Sequence, residues 1–305
     1  DSASCEYEAR VPTQNGGPRG ITFGDNGYKF FEIDYYEDKI YEYSCSIAWD
    51  IESCSYVDSM ASHGGGPTGI EFSDNGYRMF QSDYSDDKIY EYSCSSPWDL
   101  SSCSYNSYLS SQDSSPMAIT FGNNGYKLFE TGSSGDKIYE YSCSSAFDVS
   151  SCSFVDSISS QDGGPEGITF NSDGSKLFEI GSGGDSIYEY SCSSPYDIST
   201  CSHNSDSIKA QDGTVRDITF NPTGTKLFEI GYSGDKIYEY SCSSAWDLNS
   251  CNYVDSISSQ DSSPTGMTFG NNGYKLYESD YSEDRIYEYS CSGAYDISTC
   301  SYVDS

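Results

Sequence analysis

Six copies of the run Ile-Tyr-Glu-Tyr-Ser-Cys begin at Ile40, Ile89, Ile138, Ile187, Ile237 and Ile286, a step of 49 residues taken once as 50. An unbroken period of this length marks a ring or array of equal supersecondary units, none of which can bury its apolar surface alone. No composition shift marks a linker. Residues 1–305 therefore read as one domain, with repeats starting near Asp1, Asp50, Asp99, Asp148, Asp197 and Asp247 and an overlap beginning at Asp296.

One repeat shows what the unit is. From Cys152, Ser-Phe-Val-Asp-Ser-Ile-Ser alternates apolar and polar residues, the period of a strand. Gly163-Gly164-Pro165 breaks it, Gly167–Phe170 reads as a second strand, and Asn171–Gly174 supplies a turn. Lys176–Ile180 and Ile187–Cys192 follow as two more strands around a Gly-rich loop. Nothing keeps a 3.6-residue apolar period. The expected fold is all-β: a six-bladed β-propeller of four-stranded antiparallel blades, about 49 residues per repeat. An open solenoid would need polar caps, and the end repeats look like the middle ones. The Lys and Glu columns inside the strands are expected to lie between blades and to be ion-paired across them.

The sequence Pro-x-Gly-Ile-x-Phe, then Asn/Asp-Gly-Tyr-Lys-Leu-Phe, then Asp-Lys-Ile-Tyr-Glu-Tyr resembles the repeats of YVTN-like and NHL-like propellers and, more closely, the long repeat proteins of phages and marine microbes. The resemblance spans the chain and implies the propeller fold and a role as a binding or attachment module. The paired cysteines depart from that pattern.

Thirteen cysteines form six pairs, Cys45/Cys54, Cys94/Cys103, Cys143/Cys152, Cys192/Cys201, Cys242/Cys251 and Cys291/Cys300, with Cys5 left over. Zinc ligands are usually closer in sequence and are shared with His, of which there are two. One disulfide per blade is expected, and with it a secreted, extracellular protein. The first residues lack the basic and apolar regions of a signal peptide, so the chain begins like a processed protein. No apolar run is long enough to span a membrane.

The net charge is −33. Eleven of the fifteen bases stand in the Lys29 and Lys39 columns, and eleven glutamates stand in the Glu32 and Glu42 columns. The other 37 acids and four bases read as residues of loops and termini, so a near-neutral framework is expected to carry acidic rims. Such a surface disfavours nucleic acid.

Two rim features nominate sites. Asp34, Asp38, Asp83, Asp87, Asp280 and Asp284 cluster in loops of repeats one, two and six, a set of hard oxygen ligands that makes Ca²⁺ the one cofactor to consider, although the spacing matches no EF-hand. The loops between paired cysteines carry an aromatic followed by Asp: Trp49-Asp50, Trp98-Asp99 and Trp246-Asp247, with Phe and Tyr versions elsewhere. An aromatic platform beside a carboxylate suits a sugar ring, and repetition gives avidity; as a structural feature it is a packed ring beside an Asx turn.

Asp1–Tyr7 repeats Asp296–Tyr302, giving seven copies of one strand for six blades. A spare strand, with Cys5, is a means of self-association by strand addition. His63 and His203 have no recognisable nucleophile near them in sequence. The expectation is thus a non-catalytic extracellular structural or adhesive propeller assembling head to tail into a filament, coat or matrix, the alternative being a multivalent carbohydrate-binding lectin with glycan or matrix partners; no enzyme activity is expected.

Overall fold

The computed structural model describes residues 17–260, 262–280 and 285–304. Six four-stranded antiparallel sheets surround an axis, each built from strands consecutive in sequence. Blade one runs Pro18–Gly24, Lys29–Asp34, Lys39–Cys45 and Cys54–Ala61. Blades two to six span Pro67–Ser110, Pro116–Ser159, Pro165–Lys209, Val215–Ser258 and Pro264–Asp304. The inner strand of each blade packs beside those of its neighbours, and blade one meets blade six, so the ring is closed. Among the described residues the only helices are single 3₁₀ turns.

The second and third strands are buried on both faces because a neighbouring blade covers each, which is why apolar residues fill both alternating sets. In the junction between blades four and five, Phe178, Ile180 and Ile187 meet Val215, Leu227, Tyr238 and Tyr240. The closing junction has the same form: Tyr277 and Ile286 of blade six pack on Phe30, Tyr41 and Tyr43 of blade one.

All six disulfides form as paired in the sequence: Cys45 with Cys54, Cys94 with Cys103, Cys143 with Cys152, Cys192 with Cys201, Cys242 with Cys251, and Cys291 with Cys300. Each joins directly opposed residues of the third and outer strands. The six staples are not equivalent in burial. Among the outer-strand partners Cys54 and Cys251 are buried, whereas Cys103, Cys152, Cys201 and Cys300 are only half-buried. Each outer sulfur sits beside the carbonyl of the loop aspartate four residues earlier, Cys103 Sγ 3.2 Å from Asp99 O and Cys201 Sγ 3.4 Å from Asp197 O, so the bond also fixes the position of that loop. The strand copy at Cys300–Asp304 is the outer strand of blade six. The Asp1–Tyr7 copy and Cys5 lie outside the described residues.

The ion pairs differ from expectation. Lys29, Arg78, Lys127, Lys176, Lys226 and Lys275 each pair with a Glu on the adjacent strand of the same blade, Glu42, Glu91, Glu140, Glu189, Glu239 and Glu288. The register sets this, because Lys29 stands opposite Ser44 and Phe31 opposite Glu42, so the two charged residues lie diagonally on one face. What crosses the junction is the second carboxylate oxygen. Glu42 Oε2 accepts from Leu100 N of the next blade at 2.7 Å, Glu189 Oε2 from Leu248 N at 2.8 Å, and Glu288 Oε2 from Ile51 N at 2.8 Å to close the ring. The Lys39 column lies near the surface, with Lys39 on Glu37 at 2.9 Å. The Glu32 column bonds tyrosine instead: Tyr43 Oη donates to Glu32 at 3.0 Å.

One carboxylate therefore serves two blades. Glu189→Ala leaves Lys176 and the Leu248 amide unanswered; urea unfolding is expected to show a loss of about 2–3 kcal/mol, below the range for fully buried pairs because the lysine reaches solvent.

Candidate functional site

The inner strands share the frame Pro-x-Gly-Ile-x-Phe, and the residues that depart from it meet on the axis. The second position is variable: Arg19, Thr68, Met117, Glu166, Arg216 and Thr265. The third is Gly or Ala except for Asp217, and the fifth is Thr except for Glu71. Arg19, Thr68, Glu71, Glu166, Arg216 and Asp217, with residues from all six blades, line one axial cavity of ≈450 Å³. That lies within the roughly 300–1,000 Å³ usual for small-molecule sites.

The ring order fixes how these groups face one another. Blade one opposes blade four and blade two opposes blade five, so Arg19 and Glu166 belong to opposite walls, as do Glu71 and Asp217. Arg216 Nη1 holds Glu166 Oε1 at 2.8 Å, and its guanidinium lies 5.8 Å from the Tyr232 ring. Arg19 sits 5.0 Å from the ring of Tyr35. These second-position residues form the layer nearest the mouth. Asp217 is one residue deeper, and Glu71 two further along its strand, about 7 Å below Asp217 at the rise of a β-strand.

Each inner carboxyl is wedged between two inner strands where other blades have Gly or Thr. Asp217 Oδ2 accepts from Met267 N at 2.9 Å, and Glu71 accepts from the Phe121 amide. Backbone amides, Phe121 for Glu71 and Met267 with Ile218 for Asp217, do not replace the lost hydration, so burial pushes Glu71 up to about 8 and Asp217 up to about 7. The cavity holds two carboxyls that exchange protons near neutrality, which is the condition for acid–base chemistry.

The residues nominated by the rims are placed elsewhere. Trp49, Trp98 and Trp246, with Phe147, Tyr196 and Tyr295, all have left-handed backbones, φ between 53° and 63°. Each ring lies over the turn glycine of its own blade: a Cβ on Gly76 would stand 2.3 Å from the Trp98 ring, and so would one on Gly24 of the preceding blade. The aromatic is a wedge between blades. Asp99 Oδ1 caps the next turn at Ser101 N, 3.1 Å, and Asp247 does so at Asn249 N, 3.1 Å, while Asp50 makes no cap bond.

The acidic loops are also put to structural use. Asp38 and Asp87 occupy left-handed turn positions, φ 52° and 54°. Asp34 Oδ1 accepts from Tyr36 N and Glu37 N at 2.8 and 2.7 Å. Asp280 accepts from Ser263 N at 3.0 Å, and Asp284 lies outside the described residues. Among the described residues no three His, Cys, Asp or Glu are grouped to hold a metal ion.

Blades one, two and six carry an Asp at the end of the second strand, Asp34, Asp83 and Asp280, whereas blades three, four and five carry one in the connection before the inner strand, Asp113, Asp162 and Asp212, and the two positions do the same work. In blade two Asp83 accepts from the amides of Ser85, Asp86 and Gly66 at 3.0, 2.9 and 3.1 Å. In blade three Asp113, from the connection between blades, takes the equivalent amides of Ser134, Gly135 and Ser115 at 3.1, 2.8 and 2.9 Å. In blades two to five, where one position holds Asp the other holds Gly: Gly64 with Asp83, Gly132 with Asp113, Gly181 with Asp162, Gly231 with Asp212. In these blades the Gly makes room for the acid: a Cβ on Gly132 would lie 2.1 Å from the Asp113 carboxyl carbon, and one on Gly64 would lie 2.4 Å from that of Asp83. Asp113→Gly alone is expected to cost about 3 kcal/mol through three bared amides. Adding Gly132→Asp restores most of it, and a double-mutant cycle by thermal unfolding reads the coupling.

The histidines lie off the axis. His63 stacks on Tyr105 at 4.3 Å between ring centroids, and His203 Nδ1 lies 3.1 Å from Glu189 O.

No protein-family profile matches the chain, and no curated protein matches it in sequence. Solved structures do. The periplasmic gluconolactonase of Pseudomonas aeruginosa superposes with TM-score 0.68 at 13% identity over 93% of this chain and 83% of that one. Candidate 6-phosphogluconolactonases from Bacteroides uniformis and Bacteroides fragilis superpose with TM-scores 0.66 and 0.64, at 15% and 13% identity, over 94% of this chain and 84% and 82% of theirs. At such identity the likeness shows the fold, and it points to lactonase-named propellers rather than specifically to YVTN-like, NHL-like or phage repeats. It also corrects the functional expectation: the neighbours bear the names of enzymes, which overturns the readings of a non-catalytic structural or adhesive filament subunit and of a lectin. The disulfides indicate an oxidising compartment, periplasmic or extracellular, and among the described residues no helix is long and apolar enough to cross a membrane.

Proposed function

We propose that the chain is a hydrolase exported from the cytosol, that its active site is the axial cavity, and that its substrate is a small cyclic ester of the sugar-lactone class. The observation that carries this reading is the convergence, in one cavity, of the five charged residues that the inner strands carry. The names of the structural neighbours support the choice of ester.

The division of labour follows from the two carboxyls. Asp217, which burial raises to about 7, in its ionised form takes a proton from water while the water oxygen adds to the lactone carbonyl carbon. The carbonyl oxygen gains charge beside the guanidinium groups of the mouth. Collapse breaks the ring C–O bond, and the departing alkoxide takes the proton of Glu71, which burial keeps neutral at that pH. The product is the open hydroxy acid, and solvent returns the two protons to their starting places.

The test is pH-stat hydrolysis of a panel of δ- and γ-sugar lactones by the wild type, Asp217→Asn and Glu71→Gln, each checked for folding by thermal unfolding. Turnover above the spontaneous rate that falls in both variants supports the reading. A folded wild type without turnover, or turnover unchanged in the variants, sinks it.

A further inference from the structure

The glutamates of the third strands use both carboxylate oxygens inside the fold, one on a lysine or arginine and one on an amide of the next blade. Glu166 does not. It holds the second position of the inner strand in blade four, and Arg216 holds the same position in blade five. These two strands pack side by side, so Arg216 Nη1 reaches Glu166 Oε1 at 2.8 Å, and both side chains line the axial cavity. Among the described residues the Glu166 carboxylate accepts from Arg216 alone, and the Arg216 guanidinium donates to that carboxylate alone. Tyr232, which also lines the cavity, lies 5.8 Å from the guanidinium, so Arg216 is held from two sides.

A carboxylate accepts several hydrogen bonds and a guanidinium donates several. Their contact cancels the charge of the pair and uses one oxygen and one arm, which leaves an acceptor and donors side by side on the cavity wall. Two neighbouring hydroxyls suit both, because a hydroxyl donates and accepts. One gives its proton to Glu166 Oε2 while the other accepts from the second arm of Arg216. The 2.8 Å between the two groups is comparable to the separation of adjacent hydroxyl oxygens on a sugar ring. The same layer adds neutral hydroxyls on blades two and six, Thr68 Oγ1 3.0 Å from Ser82 Oγ and Thr265 Oγ1 3.1 Å from Ser279 Oγ.

We propose that the Glu166–Arg216 pair is the diol subsite of the axial cavity, where it takes two adjacent free hydroxyls of a polyhydroxylated lactone and so selects sugar lactones over unsubstituted cyclic esters of the same ring size. This deepens the hydrolase reading and rests on it for the ester end; the diol end rests on the geometry of the pair.

Isothermal titration of the full chain at pH 7 with methyl β-D-glucopyranoside, which has the ring hydroxyls without an ester, and with tetrahydropyran, which has neither, tests it. The glucoside is expected to bind about tenfold or more tighter, the scale of one charged hydrogen bond. Glu166→Gln is expected to erase most of that margin and Glu166→Asp to keep part of it, with melting temperatures confirming that both variants fold. In pH-stat hydrolysis, Glu166→Gln should lower kcat/KM for D-glucono-δ-lactone about tenfold more than for δ-valerolactone, mainly through KM; a purely structural role would lower both alike. Equal affinity for the two ring compounds, no binding of the glucoside, or a folded Glu166→Gln that keeps the margin overturns the proposal. The two readings fail separately: glucoside binding without lactone turnover sinks only the hydrolase, and equal turnover of the two lactones with no preference for the glucoside sinks only this proposal.

Discussion

Reduction of the six disulfides is expected to unfold the ring. Each closes a ten-residue loop, Cys45 to Cys54 and its five equivalents, and chain entropy assigns such a loop about 2.7 kcal/mol, or about 16 kcal/mol for six. That exceeds the roughly 5–15 kcal/mol by which domains are stable at all. The third-strand partners, Cys45, Cys94, Cys143, Cys192, Cys242 and Cys291, are buried, so reductant alone acts slowly and a little urea should speed it. Circular dichroism with thiol titration follows both events. A fully reduced chain that keeps its β signal and melts within a few degrees of the oxidised one would show that packing between blades suffices without the staples. The intermediate case is Cys242→Ser with Cys251→Ser, expected to lose about 2.7 kcal/mol while the other five blades hold.

Asp217→Asn should abolish most of the lactone hydrolysis proposed for the axial cavity, by about 10²- to 10⁴-fold, the usual loss of a general base. The pH profile makes the prediction sharper. With the base near 7 and the acid near 8, kcat/KM should form a narrow bell between those values; Asp217→Asn removes the acidic limb and Glu71→Gln the alkaline one. The same shifts bear on stability, with a definite sign. Both groups are raised by burial, so the folded state favours the neutral form. The contribution of Glu71 is fully present below its ordinary value near 4.5 and is lost as pH rises to about 8, and that of Asp217 is lost by about 7. Glu130 and Glu278, raised to about 7, act in the same direction. The wild type should therefore melt lower at pH 8 than at pH 5, and Glu71→Gln should gain on it steadily over that interval. A melting temperature of the wild type that rises with pH, or a constant gap between the two proteins, would contradict the assignment.

The ring was legible because its causes are local and repeated. Alternation along Cys152–Ser159, the turn at Asn171–Gly174 and the cysteine spacing each recur six times, so the period carries the fold even though no single copy would. The site was not legible for the opposite reason. Its residues are the exceptions: Asp217 in a column of small residues, Glu71 in a column of threonines, Arg19 and Arg216 in a column with no rule. They lie on blades one, two and five, Arg216 and Asp217 side by side on the last, and closure of the ring brings the three blades' residues together. Net charge misled as well, since a total of −33 drew attention to the acidic rims and hid two arginines on the axis. The signal that would have found them is the departure from the repeat on the inner strand, read column by column. The crossed ion pairs were misplaced because the columns give composition and not register: Lys29 reaches Glu42 within its blade, and only the second oxygen of that glutamate reaches the next.

The exchange between Asp83 with Gly64 and Asp113 with Gly132 bears on how the copies diverged. A blade with neither acid would leave three turn amides without an acceptor, so a lineage passing from one arrangement to the other by single steps is channelled through sequences that hold both. Blade six has such a sequence, with Asp261 and Asp280 at the two positions. Recombining blades of the two kinds should produce rings that differ in where the rim carries its charge while keeping the same set of satisfied turns.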